Sequence, residues 1–323
     1  MSWQPGIDSA TLQNRSKIYT AIRRFFESRA VTEVTTPVLG ARGVSDLHIE
    51  SLTVVDQRMT FYLQSSPEYC MKRLLASGSG SIYQICPAFR AGESGLRHNT
   101  EFSMLEWYRV GFSVEELIAE VSSLLLALLE EMQGTPCQIQ YTTYAELFSS
   151  YFGQNPHALS LAELYRLMKK EGLASEHIDN IDDQATCNEC LDLLFSSCIE
   201  PNLLEPTFVS EFPAGQAALA KINLNDSSDR VARRFELYWQ GMELANGYDE
   251  LTDAEELRRR FEENNRQREV RGVPTIDQDE KLLVSMSQLP DCAGVAVGID
   301  RLVMLLCEKK TIDEVISFTR DRL

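Results

Sequence analysis

Positive charge is scarce in this chain. Lys and Arg number 31 against 48 Asp and Glu, which leaves a formal net charge of −17. Gripping a nucleic acid backbone needs a surplus of cations, so the balance argues against a general affinity for nucleic acid without forbidding a local basic patch, and tRNA is not an expected partner. Long apolar runs are lacking too. Stretches such as Leu124–Leu129 fall far short of the roughly 20 residues that span a bilayer. The opening Met1-Ser2-Trp3-Gln4-Pro5 lacks the basic-then-apolar order of a secretory signal. The expectation is a cytoplasmic protein without a membrane partner. Histidines number only four, and none joins Cys187, Cys190 and Cys198 at zinc spacing, nor does a second CxxC. Those thiols read as ordinary reduced residues on a helix. Internal repeats, low-complexity tracts and flexible linkers are missing from the sequence.

What is there is a globular composition, 44% hydrophobic and 24% charged over 323 residues, enough for one large domain or two ordinary ones. Ile18, Ile22, Phe25 and Phe26 mark the apolar face of a helix over residues 11 to 29. Val31–Val34 reads as a short strand stopped by Pro37, Val54-Val55 and Phe61–Leu63 as strands around a turn, and Pro67–Leu75 as a helix with proline in its first turn. Ser81–Cys86 alternates like a strand. Residues 113 to 200 turn mostly helical. Strands return at Thr207–Val209 and Phe235–Trp239. Arg258, Arg259, Arg260, Arg266, Arg268 and Arg271 alternate with Glu255, Glu256, Glu262, Glu263 and Glu269, the pattern of a solvated helix laced with ion pairs. Strand-rich ends around a helical middle predict an α+β fold, an antiparallel sheet flanked by helices with a helical insertion at about 113–200.

Three stretches carry chemistry. In Gly294–Leu306 small residues alternate along a strand, letting a ligand approach the backbone, and Arg301 follows at the strand-to-helix junction, where its forked donors suit a phosphate; alone, the stretch reads equally as glycines that merely allow tight helix–strand packing. In Phe89–Phe102 a strand arginine, Arg90, precedes a Gly-rich polar loop with Arg97 and His98, and Phe102 stands on the returning strand. Phosphates would meet Arg90, Arg97 and His98, and a base would stack on Phe102. Alone, this segment reads better as a surface hairpin with a packed Phe. In Phe235–Glu250 a turn at Gln240-Gly241 brings Glu236 and Glu243 together, a carboxylate pair suited to Mg²⁺ shared with substrate phosphates, or merely two exposed hairpin acids.

Taken together these stretches resemble the three motifs of the class II aminoacyl-tRNA synthetases, in order, with the first ending at Pro37. Ser66-Pro67-Glu68-Tyr69, Arg97-His98-Asn99 with Glu101-Phe102, and Glu243–Gly247 with Glu250-Leu251 resemble the lysyl group within that family. The resemblance covers nearly the whole chain. Its first helix starts near residue 11, which leaves no room for the anticodon-binding barrel of lysyl-tRNA synthetases, so the expectation is a single catalytic domain over 1–323. Leu105–Arg109, Pro206–Val209 and Met286–Gly294 are similar to the stand-alone lysyl-type cores that attach (R)-β-lysine to a lysine of elongation factor P. Ser66 and Ala296 replace the Ala and Gly of true lysyl-tRNA synthetases, in keeping with an amine moved from the α to the β carbon.

The resemblance implies an enzyme that uses ATP and Mg²⁺, takes lysine or β-lysine and elongation factor P as substrates, and works as a homodimer. Arg90 and Arg301 would be catalytic. ATP would meet Arg90, Gly92, Glu93, His98, Asn99, Phe102, Glu243, Leu244, Gly298 and Arg301. The amino acid would meet Ser66, Pro67, Glu68, Glu106, Tyr108, Asn246, Glu250 and Ala296, with Glu68 on one amino group and Glu106, Tyr108 and Glu250 on the distal one. The metal would sit at Glu236 and Glu243. One departure stands out: the family's Phe-Arg-x-Glu is here Phe89-Arg90-Ala91-Gly92, with Glu93 one place late. Two rivals remain at this point, a compact synthetase charging a tRNA acceptor stem and a non-catalytic regulatory paralogue.

Overall fold

Asp8 starts the first helix, Ser9–Glu27, by accepting the Thr11 amide at 2.7 Å, a cap that satisfies one of the otherwise unpaired first-turn donors. Ile18, Ile22 and Phe26 recur along one face and are fully buried, as the spacing predicts. In the computed structural model, which describes residues 3–135, 137–173, 184–319 and 322, the chain falls into two units, Met1–Pro136 with Thr252–Leu323, and Cys137–Leu251.

The first unit is built on the strands Ile82–Phe89, Glu101–Val110 and Cys292–Gly298, paired antiparallel in that order. Thr32–Glu33 joins Ile82 and Tyr83 in parallel at the edge. Alternation assigns the two faces of this sheet. On one, Phe26 stacks on Tyr83 at 4.4 Å and meets Trp107 edge-on at 5.2 Å. Trp107 Nε1 donates to Glu120 on the helix Val114–Glu131 at 3.0 Å. This face is the core. The other carries Phe102, Met104, Glu106 and Tyr108 on the middle strand, with Gly294, Ala296 and Gly298 opposite them. A small three-stranded antiparallel sheet, Leu39–Gly40, Met59–Leu63 and Thr53–Asp56, turns at Gln57 and Arg58, both at positive φ. The charged helix Ala254–Val270 is laced as expected, with Arg260 on Glu256 at 2.8 Å and Arg266 on Glu263 at 2.6 Å. Arg268 departs from that pattern: it is buried and donates to the carbonyls of Asp46 and Pro274.

In the second unit Arg230–Tyr238 lies between Thr207–Pro213 and Glu243–Asp249, antiparallel to both. Gln140–Thr143 runs parallel to Thr207–Pro213. That four-residue strand falls inside the stretch read as helical; it is an exposed edge strand, too short and too polar to show a period. The helices Tyr144–Phe152, Leu161–Lys170 and Gln184–Leu194, with Val114–Glu131 in the first unit, make that stretch mostly helical. Their core is aromatic: Tyr144 stacks on Phe195 at 4.9 Å and gives its hydroxyl to the Leu191 carbonyl. Cys187, Cys190 and Cys198 are in no disulfide, and burial pushes Cys190 up to about 11, which keeps it protonated.

Candidate active site

In the first unit the strand Ile82–Phe89 delivers Arg90 to the rim of the core-averted face. The Arg90 amide bonds the Thr100 carbonyl at 2.9 Å, closing the base of the loop. Its guanidinium lies 5.1 Å over the Phe102 ring and 3.6 Å from Glu93. Arg90 Nε is buried without a hydrogen-bond partner among the described residues, a donor held ready for an anion. The motif's displaced acid is thereby explained. Gly92 sits at φ 76°, where a side chain is strained, and the chain bends so that Glu93, three residues on, reaches Arg90.

The loop closes on itself through Gly95 and His98, which exchange backbone hydrogen bonds. Arg301, from the first turn of the helix Ile299–Leu306, reaches this loop: Nε donates to the Arg97 carbonyl at 3.3 Å and the guanidinium meets His98 Nε2 at 2.5 Å. The motif arginine near the C-terminus and the hairpin some 200 residues earlier are thus in contact. Asn99 uses its amide on the Glu101 carbonyl at 2.7 Å.

Beside Arg301, Asp300 is buried at 2% exposure and locks three segments. Its carboxylate accepts the Ser103 amide at 2.7 Å and pairs with Arg15 at 2.6 Å. Arg15 in turn donates to Ser103 Oγ and the Val315 carbonyl. Nothing local along the chain signals this arrangement, since Arg15 reads as one polar residue among several on an amphipathic helix.

Along the same strand face as Phe102, Glu106 and Tyr108 are 3% and 2% exposed. Tyr108 donates to Glu106 at 2.6 Å. Ala296 stands opposite Glu106 on the next strand and Gly298 opposite Met104; both are partly exposed. At the helix Glu68–Ala76, Ser66 Oγ accepts the Glu68 amide at 3.4 Å and Pro67 occupies the N-cap. Glu68 is tied to Lys72, itself 2% exposed, at 2.7 Å, so this acid already has a cationic neighbour one helical turn away.

In the second unit a two-residue turn, with Gln240 at φ 50° and Gly241 at φ 64°, closes a hairpin whose ends Trp239 and Met242 exchange hydrogen bonds. Such left-handed pairs match the twist of antiparallel strands. Glu243 faces Tyr238, and Glu236 faces Asn246. Glu236 is 5% exposed. It accepts from Arg234, Tyr238 and Asn246. Burial pushes its carboxyl up, Arg234 pulls it down, and Glu243 pushes it up again. Two carboxylates within each other's field, with one acceptor position on Glu236 left over from those three donors, fit a divalent cation completed by phosphate oxygens. Asn246 therefore serves Glu236 and Arg234. Leu244 is buried and Glu250 is 1% exposed, with a backbone bridge to Ala220. Arg234 was not singled out from the sequence, although standing two residues before Glu236 on a strand puts both on one face.

The sequence itself identifies the family to which this arrangement belongs. The model described as tRNA synthetases class II (D, K and N) fits residues 7–322, and the chain belongs to that family. Within it, the chain is 43% identical to the "Elongation factor P--(R)-beta-lysine ligase" of Haemophilus ducreyi, over 100% of this chain and 97% of that protein. It is 44% identical to the protein of that name from Edwardsiella ictaluri, covering 99% and 98%, and 43% identical to that of Pseudoalteromonas translucida, covering 98% and 97%. No helix among the described residues is long and apolar enough to cross a membrane.

Proposed function

We propose that this chain is an ATP-dependent ligase that activates (R)-β-lysine, or lysine, as an aminoacyl-adenylate and transfers it to the ε-amine of a lysine on elongation factor P, as a cytoplasmic homodimer. The observation that carries this reading is the full-length identity of 43–44% to relatives bearing that name, with the chemistry-bearing residues of the family present.

The amino-acid carboxylate attacks the α-phosphorus of ATP, a P–O bond opens and pyrophosphate leaves. The acceptor amine then attacks the adenylate's carbonyl carbon, AMP departs with the bonding pair, and the amine loses its proton. No side chain forms a covalent bond, so catalysis is positioning and electrostatics. Arg90 and Arg301 hold the phosphates, with His98 and Glu93 orienting them and Phe102 offering a face to the adenine. Gly92, Asn99, Leu244 and Gly298 shape the nucleotide's surroundings. Mg²⁺ at Glu236 and Glu243 would neutralise charge on the outgoing pyrophosphate. Glu106 and Tyr108, with Glu250, offer acceptors to the substrate's distal ammonium. Ser66, Pro67, Glu68, Asn246 and Ala296 frame the end that bears the carboxylate and the other amine. A buried carboxylate is strongly disfavoured unless a cation meets it, which supports a diamino acid over an acidic one.

The test is intact-mass analysis of elongation factor P after incubation with the enzyme, ATP and each lysine isomer. A gain of one β-lysyl residue on the factor is expected. Charging of tRNA with no change in the factor overturns the reading.

A further inference from the structure

One buried polar group on the core-averted face of the first unit has no role in the account above. Gln84 is 2% exposed, in the middle of the strand Ile82–Phe89. It stands directly opposite Glu106, which stands directly opposite Ala296. Residues paired across antiparallel strands point the same way with Cβ atoms about 5 Å apart. Gln84, Glu106 and Ala296 therefore form one row across three strands, and Cys86 and Tyr108 flank it on the same face.

The Gln84 amide is half used. Its nitrogen lies beside the Cys86 thiol, which can take one of its two N–H donors. Its side-chain oxygen has no partner among the described residues. Buried acceptors are nearly always satisfied, so an orphan on a ligand face marks a donor that arrives with the ligand. The adjoining Glu106 already receives the Tyr108 hydroxyl. A primary ammonium carries three N–H donors and no acceptor. A neutral carbonyl beside Glu106 gives it a further acceptor without adding a second negative charge to this row.

We infer that Gln84 is a specificity-determining residue of the amine pocket, its side-chain oxygen taking one N–H of the substrate's distal ammonium beside the Glu106 carboxylate. This rests on the reading that Glu106 and Tyr108 meet that ammonium. It goes beyond it by making the pocket count N–H donors as well as charge. A primary ammonium fills the row, whereas an ε-N-methyl ammonium has the same charge, one donor fewer and a methyl where Gln84 needs a hydrogen.

The experiment is amino-acid-dependent ATP–pyrophosphate exchange with wild type and Gln84→Met, using the preferred lysine isomer and its ε-N-methyl derivative. Gln84→Met keeps length and volume and removes the acceptor. Wild type should prefer the primary amine in kcat/KM. In the variant KM for the primary amine rises about 10- to 100-fold, KM for ATP stays within about twofold, and the preference over the methylated substrate collapses. An unchanged preference overturns the assignment, as does a parallel rise in both KM values, which marks a packing role. If Gln84→Met does not fold, Gln84→Leu, which also removes the acceptor without adding charge, must lose the preference, and its retention there is equally fatal. Wild type showing no lysine-dependent exchange at all would instead sink the functional reading itself.

Discussion

Replacing Gly241 by alanine tests the hairpin that sets Glu236 against Glu243. Gly241 has φ 64°, a conformation that costs an L-residue about 1–2 kcal/mol. A Cβ there would also lie 3.1 Å from Pro201 Cα and 3.3 Å from the Pro201 carbonyl oxygen. These are backbone atoms, which cannot rotate away, so a shift of a few tenths of an ångström is forced at a further cost of about 1 kcal/mol or more. Gly153 provides the control. It caps the helix Tyr144–Phe152 in the same unit at φ 70° with nothing within 4 Å of an added Cβ, so Gly153→Ala should cost only the conformational part. Urea unfolding followed by far-UV circular dichroism should therefore show Gly241→Ala destabilised by about 2–3 kcal/mol and Gly153→Ala by about 1–2, at least about 1 less than Gly241→Ala. The Mg²⁺ concentration for half-maximal pyrophosphate exchange should rise in Gly241→Ala alone, because only that turn positions the two carboxylates. Equal destabilisation of the two variants, or an unmoved Mg²⁺ requirement in Gly241→Ala, would refute the reasoning.

Arg301→Ala should abolish adenylate formation, with exchange falling at least about 10²- to 10³-fold while the melting curve stays near wild type; normal exchange would remove Arg301 from the mechanism. Phe26→Ala removes a fully buried ring packed on Tyr83 and Trp107 and should cost about 3–5 kcal/mol, read in the same urea titration. His157 is held below its usual 6.5, chiefly by burial and against the opposing pull of Asp229 and Glu211, and its Nε2 has no partner among the described residues. The unfolded chain takes up that proton more readily, so stability is lost as pH falls below about 6.5. The difference in stability between wild type and His157→Phe should shift against wild type between pH 7.5 and 5, and a pH-independent difference would contradict the burial argument.

Much of this was legible from the chain itself, for a physical reason. Helical and strand periods announce themselves wherever one face is buried, as at Ile18, Ile22 and Phe26 or along Ile82–Cys86. The Gln240-Gly241 turn was legible because a tight hairpin demands positive φ. What escaped depends on contacts between distant segments. Arg15 gives no hint that its partner is Asp300. Lys72 carries no sign that it will be buried on Glu68. Arg234 looks like a surface cation until the strand buries it against Glu236. Glu93 was flagged as misplaced, yet only the left-handed bend at Gly92 shows how a later acid still reaches Arg90. Gln140–Thr143 was missed because an exposed four-residue edge strand buries no face and leaves no period.

The clamp of Asp300 on Arg15 and Ser103 has a consequence in time. Arg15 and Asp300 are 300 − 15 = 285 residues apart, so a ribosome adding about 5–20 residues per second takes roughly 15–60 s to supply the second after the first. Through that interval the N-terminal helix can dock on nascent Tyr83 and Trp107, but Arg15 lacks its Asp300 partner and the loop carrying Arg97 and His98 has no Arg301 to lean on. A polypeptide still on the ribosome therefore lacks the contact of Arg301 with Arg97 and His98 until the helix Ile299–Leu306 emerges.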